Sequence, residues 1–200
     1  MTGKKGATTT KTYAVAGKTL DEINKDMLKK GPQDPNESKR YSGSCRGELV
    51  VAIGASDFQF ETTPDSSPVE VTAKLKAGTL TSNSAITLPK LASEKELSSD
   101  ALSEWKRFLS KVMVHEQGHA DSYFDLAKTM ADEFNALSAT GEGKDERSAQ
   151  VAAQKALIAL MSKNYGGTVL GDRVKADAAT YDSKTKHGAT QGAVLDASIE

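Results

Sequence analysis

This sequence of 200 residues has little of several things that proteins commonly rely on. It holds a single cysteine, Cys45, so no disulfide can close within the chain, and stability has to come from packing or a bound ligand. Neither sign of charge dominates: 26 Lys and Arg stand against 27 Asp and Glu. Bulk electrostatics therefore point to no nucleic acid and no anionic membrane surface. No run approaches the 18 or so apolar residues of a membrane span, and the opening MTGKKGATTTKTYAVAGKT has lysines but no apolar stretch behind them to make a signal peptide. Aromatic residues are 6% of the chain and histidine occurs three times, so each histidine carries information. A hydrophobic content of 38% fits a globular protein with a core.

Residues 1–11 are small, polar and basic, with nothing to bury, and are expected to be a disordered lead-in. The remainder, 12–200, is expected to form one domain, with a sheet-rich lobe over 12–92 and a helical lobe over 93–200. Tyr13–Val15 alternates as a short strand does. Leu20, Ile23, Met27 and Leu28 then follow at helical spacing, closed by Gly31-Pro32. The turn-rich QDPNESKRYSGSCRG leads into two β-like runs, Glu48–Thr62 and Val69–Leu88, which should make a mostly antiparallel sheet.

From Ser93 the period changes from two to 3.6. Leu102, Trp105, Phe108, Leu109, Val112, Glu116, His119, Tyr123, Leu126 and Met130 fall at steps of three and four, one stripe of a helix running to about Leu137. Ser93 with Glu96, and Ser98, Ser99 and Asp100, are N-cap candidates. The only residue inside that opposes a helix is Gly118, by about 1 kcal/mol relative to Ala. SATGEGKDE is expected to be a loop, and Ser148 to about Lys163 a second helix packed on the first. Beyond Asn164 no periodicity is strong. There is no internal repeat.

Within the long helix stands His115-Glu116-Gln117-Gly118-His119. Two imidazoles four residues apart project from one helix face and can bind one metal ion, with Glu116 beside them as a base. Chance placement of such a pattern in a chain of this composition is expected in about three sequences per thousand. A catalytic zinc site takes three protein ligands and leaves a position for water. In that arrangement Glu116 takes a proton from zinc-bound water while the metal polarises a scissile carbonyl.

For the third ligand, His187 in YDSKTKHGATQG is the only histidine left, and Gly188 would let its loop approach closely. Asp125 lies where an extended H-E-x-x-H-x-x-G-x-x-H pattern places its last ligand, but Ser122 replaces the turn-making glycine. Cys45 is a thiolate candidate, and Glu142 and Glu146 are carboxylate candidates. Tyr181 and Tyr123 are candidate donors to the oxyanion formed by attack on a carbonyl, Tyr181 being the better placed because it adjoins the His187 segment. Asp182 is a candidate to orient an imidazole through its second nitrogen.

The segments TYAVAGKTLDEI and GP near the start, the LP before the long helix, Trp105-x-x-Phe108 leading to His115-Glu116-x-x-His119, and the ending YDSKTKHGATQGA together resemble the bacterial domain-of-unknown-function 922 family, described as predicted secreted zinc-dependent proteases. The resemblance spans about Tyr13 to Ala193, and the ending is its distinctive part. It implies that His115 and His119 bind Zn²⁺, with His187 as the candidate third ligand, that Glu116 is the catalytic base, and that the protein is secreted or periplasmic. The chain departs in showing neither a leader nor paired cysteines, so a cytoplasmic place stays open.

The expectation is therefore an α+β, zincin-like zinc metallopeptidase: a sheet lobe, a long H-E-x-x-H helix, a second packing helix, and a C-terminal loop completing the metal site. Its partner would be a peptide or protein substrate, added as a strand at a sheet edge. Two rivals use the same ligands. One is a zinc-stabilised binding domain closed by a fourth ligand such as Cys45, and the other is a zinc amidase acting on a non-protein amide such as a cell-wall cross-link.

Overall fold

The computed structural model describes residues 1–33 and 39–200. Part of the turn-rich stretch read from the sequence, residues 34–38, lies outside the described residues. The elements in chain order are β1 (Thr2–Val15), α1 (Leu20–Lys30), β2 (Ser44–Ala52), β3 (Phe58–Thr62), β4 (Val69–Leu75), β5 (Thr79–Leu91), α2 (Ser99–Asn135), β6 (Ser138–Gly143), α3 (Glu146–Tyr165) and α4 (Val169–Thr185). This is an α+β chain with two three-stranded sheets, ordered β1-β5-β2 and β3-β4-β6. No helix among the described residues is long and apolar enough to cross a membrane.

The residues group into two compact units, each assembled from three separate stretches. The expected division at residue 93 differs from this grouping, because both units draw on strands and on parts of α2. One unit comprises Met1–Gly6, Glu48–Asn83 and Tyr123–Ala176. In it β4 pairs antiparallel with β3 (Phe58 opposite Leu75) and with β6 (Val69 opposite Gly143). Val71, Ala73 and Leu75 turn inward at every second residue of β4, as the strand period requires. α3 buries Ala149, Ala153 and Leu157, four apart. The helix can lie directly on β6 because Gly141 and Gly143 have no side chain; a Cβ there would stand 2.1 Å from Ala153 N and 2.3 Å from Ser148 Oγ.

The other unit comprises Ala7–Gly47, Ser84–Ser122 and Asp177–Glu200. Its core gathers Val15 from β1, Leu20, Ile23 and Met27 from α1, Ile86, Leu88 and Leu91 from β5, and Trp105, Phe108 and Val112 from α2. α1 starts where Thr19 Oγ1 accepts from Glu22 N and carries Asp21 and Glu22 in its first turn and Lys29 and Lys30 in its last, which complements the helix dipole. α2 is capped by Ser98, whose Oγ accepts from Ala101 N at 3.1 Å.

Five segments differ from the sequence reading. Residues 2–11, expected to be without structure, belong to β1. Their side chains are mostly exposed, so no apolar alternation marks the strand; it is held through backbone pairing beside β5. The run Glu48–Thr62 breaks into β2 and β3 at the one-turn helix Ala55–Asp57, and Val69–Leu88 breaks into β4 and β5 around Gly78, whose φ of +113° suits glycine. SATGEG, expected as loop, is the strand β6. The segment beyond Asn164, expected to be irregular, contains the 17-residue helix α4.

Candidate metal centre

The long helix α2 brings His115, Glu116 and His119 into the interior, with exposures of 6%, 4% and 5%. The two imidazoles meet edge to face, with ring centroids 4.8 Å apart. Facing them is Asp182, near the C-terminal end of α4. Its Oδ1 lies 3.2 Å from His115 Nε2 and 3.1 Å from His119 Nε2. One donor atom from each of His115, His119 and Asp182 falls within 4.8 Å of the others, so this group could hold a metal ion.

Hydrogen bonding behind His115 tests that reading. His115 Nδ1 is 3.0 Å from Gln191 Oε1, an amide oxygen that only accepts, so Nδ1 carries the proton. The neutral ring then turns the lone pair of Nε2 toward the carboxylate of Asp182, and two acceptors face each other at 3.2 Å. Only a proton or a cation between them makes the contact favourable. Burial works against a proton on His115, but the hydrogen bond to Asp182 and the charge of Glu116 prevail and raise its pKa. Burial likewise opposes ionisation of Asp182, yet hydrogen bonds from His115 and His119 hold its carboxyl well below the usual range. Two imidazoles and an anionic carboxylate converging on one point are a donor set suited to a divalent ion such as zinc.

Glu116 has a different setting. Burial, and then the nearby negative charge of Asp182, push its carboxyl up to about 7, with His115 opposing. Its carboxylate rests against the backbone of Gly43, where a Cβ would come within 2.4 Å of Oε1. Tyr181, the residue before Asp182, stacks on His115 at 5.4 Å and meets His119 edge-on at 4.6 Å. Its hydroxyl lies over Gly118; a Cβ there would stand 1.8 Å from Oη. The glycine that weakens the helix pattern is thus the seat of Tyr181.

Of the residues singled out from the sequence, His115, His119 and Glu116 come together with Asp182 and Tyr181. His187 does not join the three-residue donor group. Its Nδ1 is 3.6 Å from Asp182 Oδ1, its side chain is 38% exposed, and its ring stacks on Tyr41 at 4.8 Å. The reason lies in the end of α4: Lys186, His187 and Gly188 all take positive φ, and His187 N closes the helix by donating to Asp182 O. This turn leaves Asp182, on the last helical turn, facing the two Nε2 atoms. The sequence pattern suggests Asp182 only as a partner for an imidazole nitrogen; the structure sets it among the donors.

The other candidates lie outside the donor group. Asp125 pairs with Lys128 at 2.6 Å and is exposed. Glu142 sits in β6 opposite Glu70, Glu146 accepts from Thr62 Oγ1, and Tyr123 is core at 1% exposure. Cys45 is half-buried, and burial together with the charge of Glu116 pushes its thiol up to about 12, so it is not a thiolate near neutrality. Gln191 stands in the distinctive ending YDSKTKHGATQGA, but its residue type alone assigns it no role there.

An α+β chain with a His-His-Asp group, its two histidines buried, that could hold a metal is the class that fold and site define. The profile of a family described as "Bacterial protein of unknown function (DUF922)" matches residues 10–188, and the chain belongs to that family. The matched region includes His115, Glu116, His119, Asp182 and His187. No curated protein and no solved structure matches the chain.

Proposed function

We propose that this chain is a zinc metallopeptidase of zincin type, with His115, His119 and Asp182 as the metal ligands and Glu116 as general base. The observation that carries the reading is geometric: the carboxyl of Glu116 is buried on the same helix as two members of the three-donor group, one residue from the first. Burial also brings that carboxyl toward neutrality, and a base poised near the working pH takes and returns a proton most effectively. Three protein donors are the number found in catalytic zinc sites, which keep one position open. Among the described residues the donor group does not include Cys45, which disfavours the closed, purely structural alternative.

Bound zinc would supply a Lewis acid that polarises a carbonyl oxygen and acidifies water. Glu116 would remove a proton from the attacking water and deliver it to the departing amine. Tyr181, its ring against both imidazoles and its hydroxyl engaged by Gln191, would orient the ligands; this is a positioning task, in place of the oxyanion donation expected from the sequence. His187, beside Asp182 but outside the donor group, would face substrate. β2 is an edge strand, and the chain entering it at Gly43 touches Glu116, so an extended peptide adding to that edge would run past the base.

The test is digestion of a mixture of unfolded proteins by the zinc-loaded chain, with new termini read by mass spectrometry. Glu116→Gln should retain zinc and lose activity by about 10²-fold or more. Undiminished cleavage by that variant would overturn the assignment, as would failure of the zinc-loaded protein to cleave any peptide bond.

A further inference from the structure

We infer that Gln191 is a positioning residue of the metal centre, locked in place by a C-terminal strap that runs antiparallel along α2; the inference rests on the metal-ligand reading above. Its amide has two engagements. Oε1 accepts from His115 Nδ1 at 3.0 Å, and Nε2 donates to Tyr181 Oη at 3.0 Å. The first fixes the tautomer that presents Nε2 of His115 toward Asp182 and His119. The second ties that imidazole to the ring packed on both histidines. A ligating histidine whose other nitrogen has a fixed acceptor is oriented and made more basic.

Gln191 is held from both sides. It ends the one-turn helix Ala189–Gln191, between Gly188 and Gly192 at φ of +81° and +83°, and Thr190 Oγ1 donates to Thr185 O at 3.0 Å. A Cβ on Gly188 would stand 3.0 Å from His115 Cγ, so the turn lies directly on the ligand. The chain then follows one face of α2 toward its N-terminus. His115, Lys111 and Arg107 are four residues apart on that face. Arg107 donates to Gly192 O at 2.9 Å and to Val194 O at 2.6 Å. Glu104 accepts from Arg107 and, at 2.8 Å, from Asp196 N. Ala193, Leu195, Ala197 and Ile199 pack against the core at every second residue. The strap is therefore a segment with one apolar edge, pinned by one ion pair, and its first residue carries the hydrogen bond to the ligand.

The experiment measures zinc affinity by chelator competition on wild type, Gln191→Leu and Gln191→Glu, with melting of the metal-free proteins as a control on folding. Removing the acceptor in Q191L should weaken zinc about 10- to 100-fold with little change in the metal-free melt. Q191E keeps an acceptor for Nδ1 and should restore affinity to within a few-fold of wild type. Substitution of Co²⁺ should show the same order in the intensity and position of its visible bands, which report ligand geometry independently of catalysis. Wild-type affinity in Q191L, or equal loss in Q191L and Q191E, would overturn the role of Gln191 while leaving the ligand set intact. A wild-type chain that binds no zinc would overturn both.

Discussion

Gly118→Ala is a substitution for which helix propensity and packing give opposite signs. In the middle of a 37-residue helix, Ala in place of Gly ordinarily stabilises by about 1 kcal/mol. Here the new Cβ would stand 1.8 Å from Tyr181 Oη and 2.5 Å from Cζ, well inside van der Waals contact. Overpacking of this kind costs about 1–3 kcal/mol, and the severity of the clash places it in the upper part of that range. The net expectation is a loss of about 1–2 kcal/mol, which for a chain of this length lowers Tm by about 2–8 °C. Zinc affinity should fall with it, since the displaced ring supports both imidazoles and precedes Asp182. Gly171 in α4 is the control, because a Cβ added there would meet nothing within 4 Å; Gly171→Ala should raise Tm by about 2–4 °C. Circular-dichroism melts in chelator, followed by zinc titration, read both effects. In a Tyr181→Ala background Gly118→Ala should change sign and become stabilising. If Gly118→Ala stabilises the otherwise wild-type chain and leaves zinc affinity unchanged, Tyr181 does not sit over Gly118 as a support for the imidazoles.

Two further outcomes concern pH. Glu116 titrates near 7 in the fold against about 4.5 unfolded, so it favours folding fully below pH 4.5 and that contribution is lost as pH rises to 7. The difference corresponds to about 3 kcal/mol. Metal-free Glu116→Gln should thus melt higher than metal-free wild type at pH 8 and close to it at pH 4.5; a variant less stable at pH 8 would contradict this. Glu104 is the opposite case. Hydrogen bonds from Arg107 lower its pKa against the effect of burial, so its stabilisation is present above about pH 4.5 and disappears as acid protonates it. Glu104→Gln should cost about 2 kcal/mol at pH 7 and flatten the acid limb of the stability curve, measured by urea titration from pH 7 to 3.

What is legible in the sequence follows the strength of its apolar patterning. α2 can be read because its stripe from Leu102 to Met130 is continuous, and with it come His115, Glu116 and His119. α1 is marked by Leu20, Ile23 and Met27, all buried. Segments held by something other than apolar periodicity leave no such mark. β1 pairs through its backbone and exposes most of its side chains. β6 is a strand because Gly141 and Gly143 admit α3 against its backbone, a fact about the neighbour rather than about SATGEG. α4 alternates small, polar and charged residues and buries little beyond Val174 and Thr185. Without α4 in view, Asp182 and His187 look like equivalent members of one loop. The helix end separates them, turning Asp182 toward the imidazoles and His187 toward Tyr41.

The ligand set His115, His119 and Asp182 is tested most directly by the zinc content and affinity of Asp182→Ala and His187→Ala beside the wild type. With Asp182 as third ligand, about one zinc per chain is expected in the wild type and in His187→Ala, and its loss in Asp182→Ala. Zinc retained by Asp182→Ala and lost from His187→Ala would contradict that set and return the third ligand to His187.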